Sequence, residues 1–131
     1  MKWNDTGLKT PMARVSGLGS AKSGTSHWIY QRLTSIANLP LVIWLIWSIC
    51  THDFTDYTVF TGWLAEPINS ILMILLVISS FYHAVLGSQV IIEDYVHNEG
   101  FKILKLVGQR LLYFAFAVAC LFSILKIAFT V

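Results

Sequence analysis

Of the four histidines in the chain, His83 is the one placed deep within an apolar stretch, in Ser79-Ser80-Phe81-Tyr82-His83-Ala84-Val85-Leu86-Gly87-Ser88-Gln89. An imidazole there has two chemical uses. It can hydrogen-bond a neighbouring helix, or, when neutral, offer a lone pair to haem iron. Gly87 follows one turn later on the same helical face, where a missing side chain leaves space beside the ring for something large and flat. Ser79, Ser80, Ala84 and Ser88 are also small, which close helix packing favours as well. A bis-histidine b haem needs two ligands. His27 and His97 sit near one edge of the apolar stretches and His52 beyond the other, so a second ligand has to come from another subunit.

A second constellation is Glu93-Asp94-Tyr95. Asp94 lies eleven residues after His83, which on a helix is nearly the same face and about 16 Å further along the axis. A phenol beside a carboxylate at a membrane edge can hydrogen-bond a quinone carbonyl and help deliver protons as it is reduced. Glu93 is read more simply, as a polar helix end meeting water. Arg32, at the start of the first apolar stretch, either anchors to lipid headgroups or faces an anion such as a haem propionate, which a guanidinium suits.

The elements that position these groups follow from composition. The chain has 131 residues, 56% hydrophobic and 12% charged, roughly half the charge share of a soluble domain. So much apolar side chain cannot be buried inside one small core, and lipid is the natural solvent for the excess. The apolar runs Leu33–Cys50, Ile68–Ile92 and Leu111–Val131 each approach the ~20 residues that cross a bilayer core. Pro40 interrupts the first, which membrane helices tolerate. Thr25 or Ser26 is placed to cap the first helix, and Pro67 suits the first turn of the second. The expected fold class is an all-α membrane protein with spans over about 26–50, 67–95 and 106–130. A segment 1–24 precedes the anchor domain 25–131.

Charge sets the expected orientation. Lys2, Lys9, Arg14, Lys22 and Arg32 stand against Asp5 alone in the leading segment. The loop Thr51–Glu66 carries Asp53, Asp56 and Glu66 and no basic residue. The loop Val96–Arg110 carries Lys102, Lys105 and Arg110. By the positive-inside rule the N-terminus and second loop face the cytoplasm (or matrix), and the first loop and C-terminus face the periplasm (or intermembrane space). Lys126 is placed to snorkel at the outer boundary. Trp44, Trp47, Tyr57 and Trp63 supply an outer aromatic belt, Trp28 and Tyr30 an inner one. Cys50 and Cys120, with no paired spacing, are expected to be unpaired thiols. The leading segment does not read as a cleavable signal; a transit peptide would look similar, so bacterial and organellar origins both stay open.

These residues resemble the SdhD membrane-anchor family of succinate dehydrogenase (complex II). His83-Ala84-x-x-Gly87 followed by Asp94-Tyr95 is similar to the family's second-helix signature. Gly24-Thr25-Ser26-His27-Trp28-Ile29-Tyr30-Gln31-Arg32-Leu33-Thr34-Ser35-Ile36-Ala37 is similar to its entry to helix one, particularly in alphaproteobacterial members. The resemblance covers about residues 10–131. It implies a succinate:ubiquinone oxidoreductase subunit that is not catalytic alone. His83 would be an axial ligand of haem b shared with the SdhC cytochrome b subunit, Gly87 would pack beside the haem, and Arg32 would lie near a propionate. Tyr95 would hydrogen-bond ubiquinone, with Asp94 shaping that site. The SdhB iron–sulfur subunit and SdhA flavoprotein would complete the assembly in a bacterial inner membrane, or a mitochondrial one, surrounded by lipid and with no nucleic acid. Bacterial members often have a histidine six residues before the arginine. That position is Ser26 here, with His27 beside it, so the resemblance assigns His27 no propionate contact. A cofactor-free structural or proton-relay subunit, and the related SdhC or fumarate reductase anchor, are the alternatives; the Asp94-Tyr95 pair after span two favours SdhD over SdhC.

Overall fold

A computed structural model describes residues 12 and 24–130. Most of the leading segment, with the basic residues that carried the orientation, lies outside the described residues. Four helices follow in order: α1 (Gly24–Thr51), α2 (Tyr57–Ala65), α3 (Pro67–Tyr95) and α4 (Glu99–Thr130). Among the described residues there is no strand. Three helices are long and apolar enough to cross a membrane, over Thr25–Thr51, Pro67–Tyr95 and Glu99–Thr130, as expected. α1 begins at Gly24, so that Thr25 and Ser26, expected to cap it, lie within its first turn, and it runs unbroken through Pro40. Cys50 and Cys120 are both free.

α3 is the middle of the row. It packs against α1 on one side and α4 on the other, while the backbones of α1 and α4 do not approach each other. The register is antiparallel on both sides. Thr34 meets His83 and Gln31 approaches Gly87 across the first seam, and Phe81 meets Tyr113 and Gln89 meets Arg110 across the second. Few apolar side chains are buried. Phe129 is 85% exposed, Phe114 70%, Phe122 67% and Ile36 65%. Each such side chain left in water forgoes about 1.5–3 kcal/mol, so the exposed surface requires an apolar surrounding.

The segment expected as a loop over Thr51–Glu66 contains the nine-residue helix α2. Asp56, in extended conformation, caps it by accepting from the backbone N–H of Thr58 at 2.8 Å, as a carboxylate at a helix start does. Pro67 starts α3 and cannot continue α2. The last carbonyls of α2 then need donors, and the first turn of α3 supplies them. Asn69 Nδ2 donates to Trp63 O at 2.9 Å and to Glu66 Oε2 at 3.0 Å, and Ser70 Oγ donates to Leu64 O; both donors are buried. Trp63 and Leu64 form a core cluster with Ile124 of α4. Trp44 stacks on Trp63, centroids 5.5 Å apart, and Phe54 lies 5.0 Å from Trp63. Of the four aromatics expected at the outer boundary, Trp47 and Tyr57 are exposed, whereas Trp63 is 7% exposed and belongs to this core.

At the opposite end α4 begins earlier than expected. Only residues 96–98 separate it from α3. Asn98 accepts from the Phe101 N–H at 3.1 Å, so Lys102, Lys105 and Arg110 lie on helix and not in a loop. Apolarity marks where lipid ends; the helix continues past it.

Candidate functional site

His83 lies half-buried on the face of α3 that meets α1. Its Nδ1 is 3.0 Å from Thr34 Oγ1. That hydroxyl also has two carbonyls of its own helix in reach, Tyr30 O at 2.9 Å and Gln31 O at 3.1 Å. Among the described residues the imidazole makes no other hydrogen bond, which leaves Nε2 uncommitted. One turn towards the α3–α4 loop, Gly87 faces Gln31 of α1, whose Nε2 would lie 3.6 Å from a Cβ built there, an ordinary contact. Within this chain the notch beside Gly87 is therefore faced by an amide of α1.

Gln31, Thr34 and Asn38 recur at helical spacing on α1, and Ser79, His83 and Gly87 at helical spacing on α3. Together they form a polar seam through apolar helices. One turn from the Thr34–His83 bond towards α2, Asn38 Oδ1 and Ser79 Oγ are buried without a hydrogen-bond partner. Sequence reasoning singled out His83 and Gly87 and passed over their counterparts on α1. The available signal was the spacing of Gln31, Thr34 and Asn38, polar groups on one stripe of an otherwise apolar span.

Asp94 and Tyr95 are brought to the last turn of α3. Both are exposed, Tyr95 at 78%, and neither makes a side-chain hydrogen bond among the described residues. The same end holds a network that was not foreseen. Arg110 Nη2 donates to Gln89 Oε1 at 2.9 Å, Gln89 Nε2 donates to Glu93 Oε1 at 2.7 Å, and Lys102 Nζ donates to the Glu93 carbonyl at 2.9 Å. Glu93 thus closes the helix end, much as its simpler reading held. Arg32 is exposed and sits over the Trp28 ring, 5.2 Å from its centroid. Two residues from Thr34, it projects to the other side of α1. The singled-out residues form no single cluster: His83 and Gly87 share one seam, Asp94 and Tyr95 one helix end, and Arg32 neither.

Electrostatic tuning is resolved outside the spans. The Oδ1 atoms of Asp53 and Asp56 accept hydrogen bonds from the hydroxyls and backbone N–H groups of Thr55 and Thr58 respectively, and these hold both carboxyls below the ordinary value of 3.8. An apolar groove of about 410 Å³ between α2, α3 and α4, lined by Phe60, Met73, Val77 and Phe116 among others, contains none of the residues above.

This architecture defines a multi-pass helical membrane protein whose central helix carries one isolated imidazole in its apolar stretch and an acid–phenol pair at its end. The model of the succinate dehydrogenase/fumarate reductase transmembrane subunit family matches residues 6–125. The succinate dehydrogenase hydrophobic membrane anchor subunit of Rickettsia bellii is 34% identical over 104 residues, covering 79% of this chain and 83% of that one. Its counterpart in Rickettsia conorii is 38% identical over 90 residues, 68% of this chain and 71% of the relative. The succinate dehydrogenase membrane anchor subunit of Reclinomonas americana is 32% identical over 95 residues, 70% and 78% of the two chains. The chain belongs to the family of succinate dehydrogenase/fumarate reductase transmembrane subunits, and within it resembles the alphaproteobacterial SdhD anchors.

Proposed function

We propose that the chain is the SdhD-type anchor of a succinate:ubiquinone oxidoreductase, contributing one axial ligand of a b haem and one wall of the ubiquinone site. The observation that carries this reading is His83, half-buried within an apolar helix, with Nδ1 engaged by Thr34 and Nε2 uncommitted. A metal-bound histidine characteristically has its second nitrogen held in this way, so the donor chemistry fits the group. One histidine supplies one ligand; the companion SdhC subunit supplies the other. When bound, the haem provides a one-electron store near the quinone. Gln31 faces Gly87 in the same seam, one turn from the Thr34 contact. Arg32, on the outer side of α1, is available to a propionate.

At the end of the same helix the Tyr95 hydroxyl donates to a quinone carbonyl. The Asp94 carboxylate beside it orders the site and takes part in the proton supply that quinone reduction requires. Both are exposed within this chain because the remaining walls come from SdhC and the SdhB iron–sulfur subunit. SdhA, the flavoprotein, oxidises succinate, and the anchor chain itself catalyses nothing alone. The α3–α4 loop faces the cytoplasm of a bacterial inner membrane, where Lys102 and Lys105 meet the soluble arm; the mitochondrial inner membrane is the alternative setting. The test is a reduced-minus-oxidised spectrum of the complex purified with its native partners. A b-type spectrum that is lost in His83→Ala supports the ligand role; a spectrum unchanged in position and midpoint in that variant overturns it.

A further inference from the structure

We infer that Thr34 is the positioning residue of the haem site: by accepting from His83 Nδ1–H it fixes the tautomer that leaves Nε2 free for iron and sets how strongly that nitrogen donates. This rests on the haem-ligand reading of His83. Thr34 has one hydroxyl proton and three acceptors in reach, namely Tyr30 O at 2.9 Å, Gln31 O at 3.1 Å and His83 Nδ1 at 3.0 Å. A threonine hydroxyl in a membrane helix commonly donates back to a carbonyl of the preceding turn. Ser35 and Ser48 do so here, to Gln31 O at 2.8 Å and Trp44 O at 3.0 Å. With its proton on Tyr30 O, Thr34 has only lone pairs to turn towards the imidazole. The short contact then requires the proton on Nδ1 and the lone pair on Nε2. The opposite arrangement, hydroxyl donating to Nδ1, would place a proton on Nε2 and block iron binding. The seam brings the pair together, with Gln31 facing Gly87 one turn away, and no competing partner for Nδ1 exists among the described residues.

An acceptor on Nδ1–H makes the imidazole a stronger donor and stabilises the ferric haem. Weakening the acceptor therefore raises the midpoint potential and lowers haem affinity by about tenfold or more. The experiment uses the whole complex with Thr34→Ser, Thr34→Cys and Thr34→Val, reading haem content, midpoint and low-spin g-values. Serine keeps the wild-type values, cysteine, a weak acceptor, shifts the midpoint positive, and valine shifts it further with haem partly lost. Full haem content with unchanged midpoint and g-values in Thr34→Val overturns the inference. If the valine variant does not assemble, the cysteine–serine pair decides, and equal midpoints in those two overturn it. A wild-type complex without b haem, or His83→Ala with an intact low-spin spectrum, brings down the ligand reading itself before any Thr34 variant is compared.

Discussion

At one end of α3, Asn69 and Ser70 are buried and satisfy the last carbonyls of α2, under a core of Trp63, Leu64 and Ile124. At the other, Asp94 and Tyr95 stand exposed, and the polar contacts that do form, from Arg110, Gln89 and Lys102, secure the helix end around Glu93. The first end is complete within the chain. The second has its backbone closed and its reactive side chains left open. The stacked aromatics around Trp63 and the Asp56 cap gather at the first end, and the acid–phenol pair stands exposed at the second. The middle of the helix is intermediate, because His83 has one nitrogen engaged and the other waiting.

The largest test of this contrast is His83→Ala, expected to abolish the b-type spectrum of the purified complex while the succinate-oxidising subunits keep their activity with an artificial acceptor. Next, Tyr95→Phe should lower quinone reductase turnover or raise the apparent quinone KM by about 100-fold, the low end of what positioned proton donors contribute. Its artificial-acceptor activity should be unchanged, and equal loss in both assays would mean failed assembly. Asn69→Leu attacks the closed end. Removing this donor leaves the Trp63 carbonyl only the long Glu66 N–H bond at 3.4 Å and should cost about 1 kcal/mol, read as lower thermal stability and faster amide exchange in α2 with normal quinone reduction. Gln89→Ala removes an exposed link and should change stability by less than about 1 kcal/mol; a large effect would show that the open end is held together more tightly than its exposure implies. The smallest effect concerns pH. The Asp56 carboxyl is held below 3.8 by Thr58, so its cap is complete above that value and is lost only as pH falls through the lowered one. Protection factors at Thr58 and Val59, corrected for the intrinsic pH dependence of amide exchange, should be flat through neutral pH and fall only in strong acid.

Spans were legible because lipid leaves a coarse signature, some twenty apolar residues at a time. Helix ends were less so. Lys102, Lys105 and Arg110 looked like a loop because they are not apolar, yet a helix keeps its hydrogen bonds in water as well as in lipid. α2 was missed although Asp56 and Pro67 bracket it, since nine residues with an apolar majority look like any short connection. His83, Asp94 and Tyr95 were found because ionisable or phenolic groups at those depths are costly or unusual. Thr34 was not, because one threonine in a span is common and its meaning depends on which residue of another helix it meets. Composition does not encode that register, which shows only where Thr34 meets His83 and Gln31 faces Gly87.

The seam between α1 and α3 also has a consequence in time. His83 follows Thr34 by 49 positions in the chain, so a ribosome that has just finished the first span has yet to synthesise the residue that answers it. During that interval the Thr34 hydroxyl has only the carbonyls of its own helix, Tyr30 O and Gln31 O, within reach, and the backbone of α1 gains no close approach to α4 later. The first helix, long and apolar enough to span by itself, thus waits for α3 before its polar stripe is covered, and a chain truncated before His83 should leave the Thr34 hydroxyl without its partner across the seam.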